Sequence, residues 1–186
     1  MANKIKYGLS NCYYAPITYG ANDAVTYGNP VKLPGAVSLS LTQEGETTPF
    51  YADNITYWMS TSNNGYTGSL EVALIPDSFK KDVLGEIEDK NGILIEKSDA
   101  VAKEFALLFQ FEGDSKASKH AMYRCVASRP DVASQTKEAS ITPQTETINI
   151  SALPRLADHL VKGTCSDTSA TQYASWFTAV YEPSEK

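Results

Sequence analysis

Val37-Ser38-Leu39-Ser40-Leu41-Thr42, Phe50-Tyr51, Ile55-Thr56-Tyr57-Trp58-Met59 and Ser69-Leu70-Glu71-Val72-Ala73-Leu74 follow one another between residues 37 and 75 with no helical period among them. Val37, Leu39 and Leu41 alternate with Ser38, Ser40 and Thr42, and Ile55, Tyr57 and Met59, then Leu70, Val72 and Leu74, repeat that spacing. A period of two sends successive side chains to opposite faces of a strand, so the stretch predicts four strands. Each would turn one face to a core and leave the other for water or a neighbour. Residues 44–48 read as a polar turn. Asn63-Asn64-Gly65 carries the tolerance of positive φ that a tight hairpin needs, which pairs 55–61 with 66–75.

Upstream, residues 5–14 and 17–27 look like short strands broken at Pro16, Gly20 and Gly28, and proline argues against a central strand throughout. Downstream, residues 77–85 predict a short helix in which Asp77 caps the start, Phe79 and Val83 share a face, and Gly85 ends it. Asn91-Gly92 suggests a second hairpin, 85–88 with 93–97. Residues 104–112 are almost wholly apolar (Phe105, Ala106, Leu107, Leu108, Phe109, Phe111), as a strand buried on both faces would be, and should form the centre of the sheet. Residues 120–128 and 145–150 continue the strand pattern, with a polar loop over 134–144. At the C-terminal end Tyr173, Trp176, Phe177, Val180 and Tyr181 fall at helical spacing behind a capping box of Ser169 and Gln172, predicting an amphipathic helix near 170–181 whose aromatic face covers the sheet. The fold class is therefore mainly β with flanking helices, and 186 residues with 42% hydrophobic content suit a single domain over 1–186 with extended loops or arms.

Composition narrows function mainly by exclusion. Sixteen basic residues against 22 acidic give a formal charge of -6, the wrong sign for a protein that grips nucleic acid by its phosphates. Lys80-Lys81 stands alone between Asp77 and Asp82, so no basic and aromatic strip for a single strand exists either. No apolar run is long enough for a signal peptide or a membrane helix, and the expected compartment is a cytoplasm. Cys12, Cys125 and Cys165 are odd in number and far apart, as reduced thiols are. His120 and His159 share no zinc spacing with them, so neither metal nor cofactor is expected. Nucleophilic catalysis needs a base and an orienting group converging on a serine or cysteine, and two isolated histidines supply no such set. The carboxylate pairs Glu44 with Glu46 and Glu86 with Glu88 share strand faces but read as solvated. No catalytic, cofactor-binding or metal residue is assigned, and an enzyme ranks last. Eleven tyrosines, among them Tyr13, Tyr14, Tyr19, Tyr27, Tyr51, Tyr57 and Tyr66, suit a protein interface. A carbohydrate-binding β-sandwich stacking sugars on exposed rings is the alternative.

The residues already quoted carry a resemblance. Leu33-Pro34-Gly35-Ala36-Val37-Ser38-Leu39-Ser40-Leu41, Thr48-Pro49-Phe50-Tyr51-Ala52-Asp53, Asn63-Asn64-Gly65-Tyr66, Ala73-Leu74-Ile75-Pro76-Asp77-Ser78-Phe79, Val83-Leu84-Gly85-Glu86, Phe105-Ala106-Leu107-Leu108-Phe109 and Pro143-Gln144-Thr145-Glu146-Thr147, with the aromatic end segment, resemble the phi13-type major tail proteins of long-tailed bacteriophages. That resemblance implies a β-sandwich or half-barrel flanked by a helix. It implies a non-enzymatic virion protein assembled in the bacterial host cytoplasm, six copies closing into a ring and rings stacking into a tube. Its partners would be further copies of itself, with tape measure, tail terminator and distal tail proteins, while genomic DNA passes through the lumen without tight binding. The resemblance does not specify which carboxylates face such a lumen; Glu44, Glu46, Glu71, Glu86 and Glu88 are candidates.

Overall fold

The computed structural model describes residues 3–21, 24–137 and 142–183. Strands make up 47% of the chain and helix 8%, so the expectation of a mainly β protein holds. Among the described residues thirteen strands run in chain order: β1 Lys6–Tyr19, β2 Val25–Tyr27, β3 Val31–Lys32, β4 Ala36–Glu44, β5 Thr47–Ala52, β6 Ile55–Thr61, β7 Gly65–Val72, β8 Ile87–Glu88, β9 Leu94–Ile95, β10 Phe105–Gly113, β11 Ser118–Ala127, β12 Glu146–Ala152 and β13 Lys162–Cys165. The main sheet is nine-stranded and antiparallel, in the order β2-β1-β10-β11-β12-β7-β4, with β3 added on β1 and β13 on β11.

β10 behaves as its composition requires. Phe105, Leu107 and Phe109 point into one core with Tyr14, Leu70, Val72, Met122, Ile148 and Ile150, while Ala106 and Leu108 point the other way into a second core with Ala15, Ala121, Tyr123, Trp176 and Val180. One strand thus serves two apolar layers. The sheet curls around the first of them until β4 comes to lie beside β1, although no ladder joins the two among the described residues. The result is a half-barrel. One end is plugged by a helical turn, α1 Asp77–Phe79 running into a π-helical turn Lys80–Leu84, whose Phe79 packs edge-on against Tyr14 and Phe105 at 5.1 and 5.5 Å. The other end is open.

Several expectations need correction. The four strands expected between 37 and 75 are present as β4 to β7, but 55–61 does not pair with 66–75: β7 pairs with β4, and the chain continues outward as β5 paired with β6, so the four make one long hairpin. The hairpin turns at Asp53-Asn54, both at positive φ (51° and 61°), as a two-residue primed turn demands. Asn63-Asn64-Gly65 is instead the joint where the arm leaves the sheet. Gly65 sits at φ 104° with the carbonyl oxygen of Ala152 only 1.9 Å from where a Cβ would stand, so no other residue fits. Asp77 does not cap its helix, since Pro76 occupies that place with extended backbone, and Asp77 is the first-turn acid instead. Gly85 does terminate the turn, at φ 80° with its N–H on the Lys80 carbonyl. Pro16 does not break β1. Its carbonyl accepts from Gly28 N–H at 2.8 Å and the next N–H, of Ile17, reaches the Glu104 carbonyl at 2.9 Å, so the ladder survives the missing donor.

The C-terminal helix is shorter than 170–181. Only α2, Thr171–Ser175, is helical, with Ala170 before it and no side-chain cap, because the Ser169 hydroxyl binds the Asp167 carboxylate at 2.7 Å instead of Gln172 closing a box. The aromatic face nevertheless packs as expected. Trp176 and Val180 are buried, Phe177 stacks on Tyr13 at 5.1 Å and Trp176 on Tyr181 at 5.8 Å. β8 and β9 pair as the Asn91-Gly92 turn predicts. β13 has no alternating signal and was not expected. In the predicted loop, residues 134–137 and 142–144 carry no strand or helix, and 138–141 lie outside the described residues.

Candidate functional site

Surface, not a cleft with converging chemistry, is what these elements build. The distal half of the long hairpin, β5 and β6, carries Phe50, Tyr51, Ile55, Tyr57, Trp58 and Met59, each exposed by 56% to 68%. Apart from Ala52 and Ser60, every residue of the two strands is exposed, so the arm shows apolar side chains on both faces. A patch of this kind on a folded chain marks an interaction surface. A two-stranded hairpin of this length has little stability in isolation. It is held in register by its continuity with β4 and β7: across the joint, Ser62 N–H donates to the Glu46 carbonyl and Asn64 N–H to the Glu44 carbonyl, each at 2.9 Å.

At the base of the arm lies the open end of the half-barrel, a recess of about 480 Å³. Leu39, Leu41, Phe109, Phe111 and Met122 form its walls, and Lys6, His120, Tyr66 and Lys162 its rim. Lys6 Nζ stands 5.1 Å from the Phe111 ring centre, while Lys162 Nζ donates to the Tyr66 hydroxyl at 3.2 Å. His120 stacks on Phe109 at 5.2 Å and has Nδ1 3.1 Å from Thr164 Oγ1. Burial first, then the ammonium groups of Lys162 and Lys6, pushes its imidazole down to about 4.

The five carboxylates named from the sequence do not converge. Glu44 and Glu46 flank the joint of the arm, at the open end. Glu71 lies near the other end of β7, where it accepts from Ser38 Oγ at 2.9 Å and Thr145 Oγ1 at 2.6 Å, and those hydrogen bonds hold it below the ordinary carboxylate range. Glu88 pairs with Lys81 at 2.8 Å beyond the helical plug, and Glu86 precedes β8. The tyrosines divide as well. Tyr51 and Tyr57 are exposed on the arm, whereas Tyr14 is fully buried, Tyr13 stacks on Phe177 and Tyr27 donates to the Tyr123 carbonyl at 3.0 Å. Cys12 and Cys125 are buried free thiols pushed up to about 12 by desolvation, and Cys165 is half-buried.

A family model described as phage tail tube protein matches residues 2–118, a range that holds β1 to β10 and ends at the first residue of β11. The chain belongs to the phage tail tube protein family. No curated protein matches it. As a member of a structural, non-enzymatic family, a tail tube protein has its functional site on the faces it offers to other chains. The matched region contains the whole arm, the helical plug and the two-faced strand β10. It is a component of the virion tail. Among the described residues no helix is long and apolar enough to cross a membrane. The pairing of the arm, which sequence reasoning missed, had one legible signal: Asp53-Asn54, a pair that tolerates positive φ as Asn-Gly does, stands between two runs rich in aromatic and β-branched residues.

Proposed function

We propose that the chain acts as one domain and is the repeating subunit of the tail tube, six copies closing into a ring and rings stacking around a channel for genomic DNA. The observation that carries this is the apolar arm. Six large side chains left in water on one hairpin forgo roughly 1.5 to 3 kcal/mol each of burial, enough to offset the several kcal/mol that association costs. Free edges support the same reading. Among the described residues β4 is hydrogen-bonded to a strand on one side only, and residues 6–12 of β1 pair only with β10, so copies side by side can join these edges into a continuous inner sheet. A net charge of -6 lets such a channel repel phosphates, so DNA slides without sticking. No residue of the chain is given a catalytic, cofactor or metal role in this function. Electron microscopy of the concentrated, purified chain tests it. Rings or tubes are the expected result, and a chain that stays monomeric at every concentration and is absent from virions would overturn it.

A further inference from the structure

The arm and the open end of the half-barrel are complementary in charge and both present apolar side chains, and we propose that the tip of the arm of one copy seats in the rim of Lys6, His120 and Lys162 of another. This rests on the reading that copies of the chain assemble with one another. The sequence holds no lysine, arginine or histidine from Leu33 to Phe79, so the arm and both strands that carry it bear no positive charge. Its turn presents one carboxylate, Asp53, flanked by Tyr51 and Ile55, which are 66% and 61% exposed. The recess offers the converse. Its walls are Leu39, Leu41, Phe109, Phe111 and Met122, and its rim carries two exposed ammonium groups that join no ion pair among the described residues. No carboxylate among the described residues lines it.

An unpaired cation beside an aromatic ring gains from an incoming carboxylate while the apolar flanks of that carboxylate cover the walls. The arm springs from the rim of its own recess, where Gln43 faces Tyr66, and runs on as β5 and β6 with its side chains in water, so it does not fill that recess itself. A second copy is the occupant that supplies tip and recess in equal number. The contact joins two different surfaces of identical chains. Such a heterologous contact propagates into rings or filaments unless two copies exchange tips reciprocally.

Carbodiimide treatment of assembled chains mixed from isotope-labelled and unlabelled protein tests the contact without any substitution, because it joins a carboxylate to an amine only where the two touch. The expected product is a mixed-isotope peptide linking Asp53 to Lys6 or Lys162. In parallel, Lys6→Glu with Lys162→Glu should raise the concentration needed for assembly at least tenfold while leaving the dilute melting temperature unchanged, and adding Asp53→Lys should recover assembly. Asp53→Asn, which keeps the turn's tolerance of positive φ, should give a smaller rise of the same sign. Assembly with Asp53 linked elsewhere, or with an unchanged threshold in the double lysine variant, overturns the contact and leaves the tube subunit reading standing. Protection of Lys6 and Lys162 from acetylation by added DNA, and not by assembly, assigns the rim to phosphate and also overturns it. Wild-type chain that never assembles overturns both readings together.

Discussion

His120 shows how a single residue sets a response to acid. Its ring lies 5.2 Å from both Phe109 and Phe111, and burial holds its imidazole down to about 4, against an ordinary value of 6.5. Between those two values the unfolded chain takes up a proton that the folded chain refuses, so stability is fully present above pH 6.5 and declines as pH falls toward 4. Glu104 titrates with the opposite cause and a lower window. Arg124 donates to it from Nε and Nη2 at 2.8 and 2.6 Å and holds it below its ordinary 4.5, so its contribution is present above that pH and is lost only as pH falls through the lower folded value. Urea midpoints measured from pH 7 to pH 3 should therefore fall along two limbs. His120→Gln should flatten the upper limb, and Arg124→Gln should make the lower one shallower without removing it, because Glu71, Asp89, Asp158 and Asp167 are also held below their ordinary range by hydrogen bonds. Neither residue's role was legible in the sequence, where His120 has no patterned neighbour. The rings beside it and the two lysines near it come from β1, β10 and β13, which only the curled sheet brings together.

Elements were legible where burial imposes a period and illegible where tertiary contacts override local preference. The unbroken apolar run of β10 announced a strand between two cores, and the aromatic spacing of residues 173–181 announced a packed face. That face is real although the helix ends at Ser175, because Trp176 Nε1 donates to the His120 carbonyl at 3.3 Å and Lys119 Nζ to the Tyr173 carbonyl at 2.5 Å, anchoring the segment from the sheet and not from its own turns. Trp176→Ala should cost about 3 kcal/mol in a denaturant titration, as emptying a filled aromatic site does. Truncation after Asp167 should remove cooperative melting altogether. β13 was missed for the converse reason: Lys162-Gly163-Thr164-Cys165 has no alternation, and it is a strand only because the first half of β11 would otherwise lack a partner on that side. The arm's joint adds a sharper test. Gly65→Ala places a methyl against the Ala152 carbonyl at a positive φ, and should lower stability by about 2 kcal/mol or more, since strain and collision act together.

At the scale of the whole molecule, fold and assembly are carried by different residues, which makes them separable. Tyr14, Phe79, Phe105, Leu107, Leu108 and Ile148 are at zero exposure inside one subunit, whereas the side chains from Phe50 to Met59 that a partner would cover contribute little to that interior. Substitutions on the arm should therefore behave as surface changes in the monomer, within about 0.5 kcal/mol of wild type. Partner binding stabilises the folded chain by mass action, and where one association per chain is saturated each tenfold rise in concentration adds about 1.4 kcal/mol. Thermal unfolding of the wild-type chain should then shift upward with concentration once assembly sets in. Phe50→Ser with Trp58→Ser should melt at the wild-type temperature when dilute and show no upward shift when concentrated. Scanning calorimetry across a hundredfold range of concentration reads both quantities from one series. A double variant already unfolded when dilute would place the arm in the core, and one that keeps the concentration dependence would move the assembly contact to the free edges of β4 and β1.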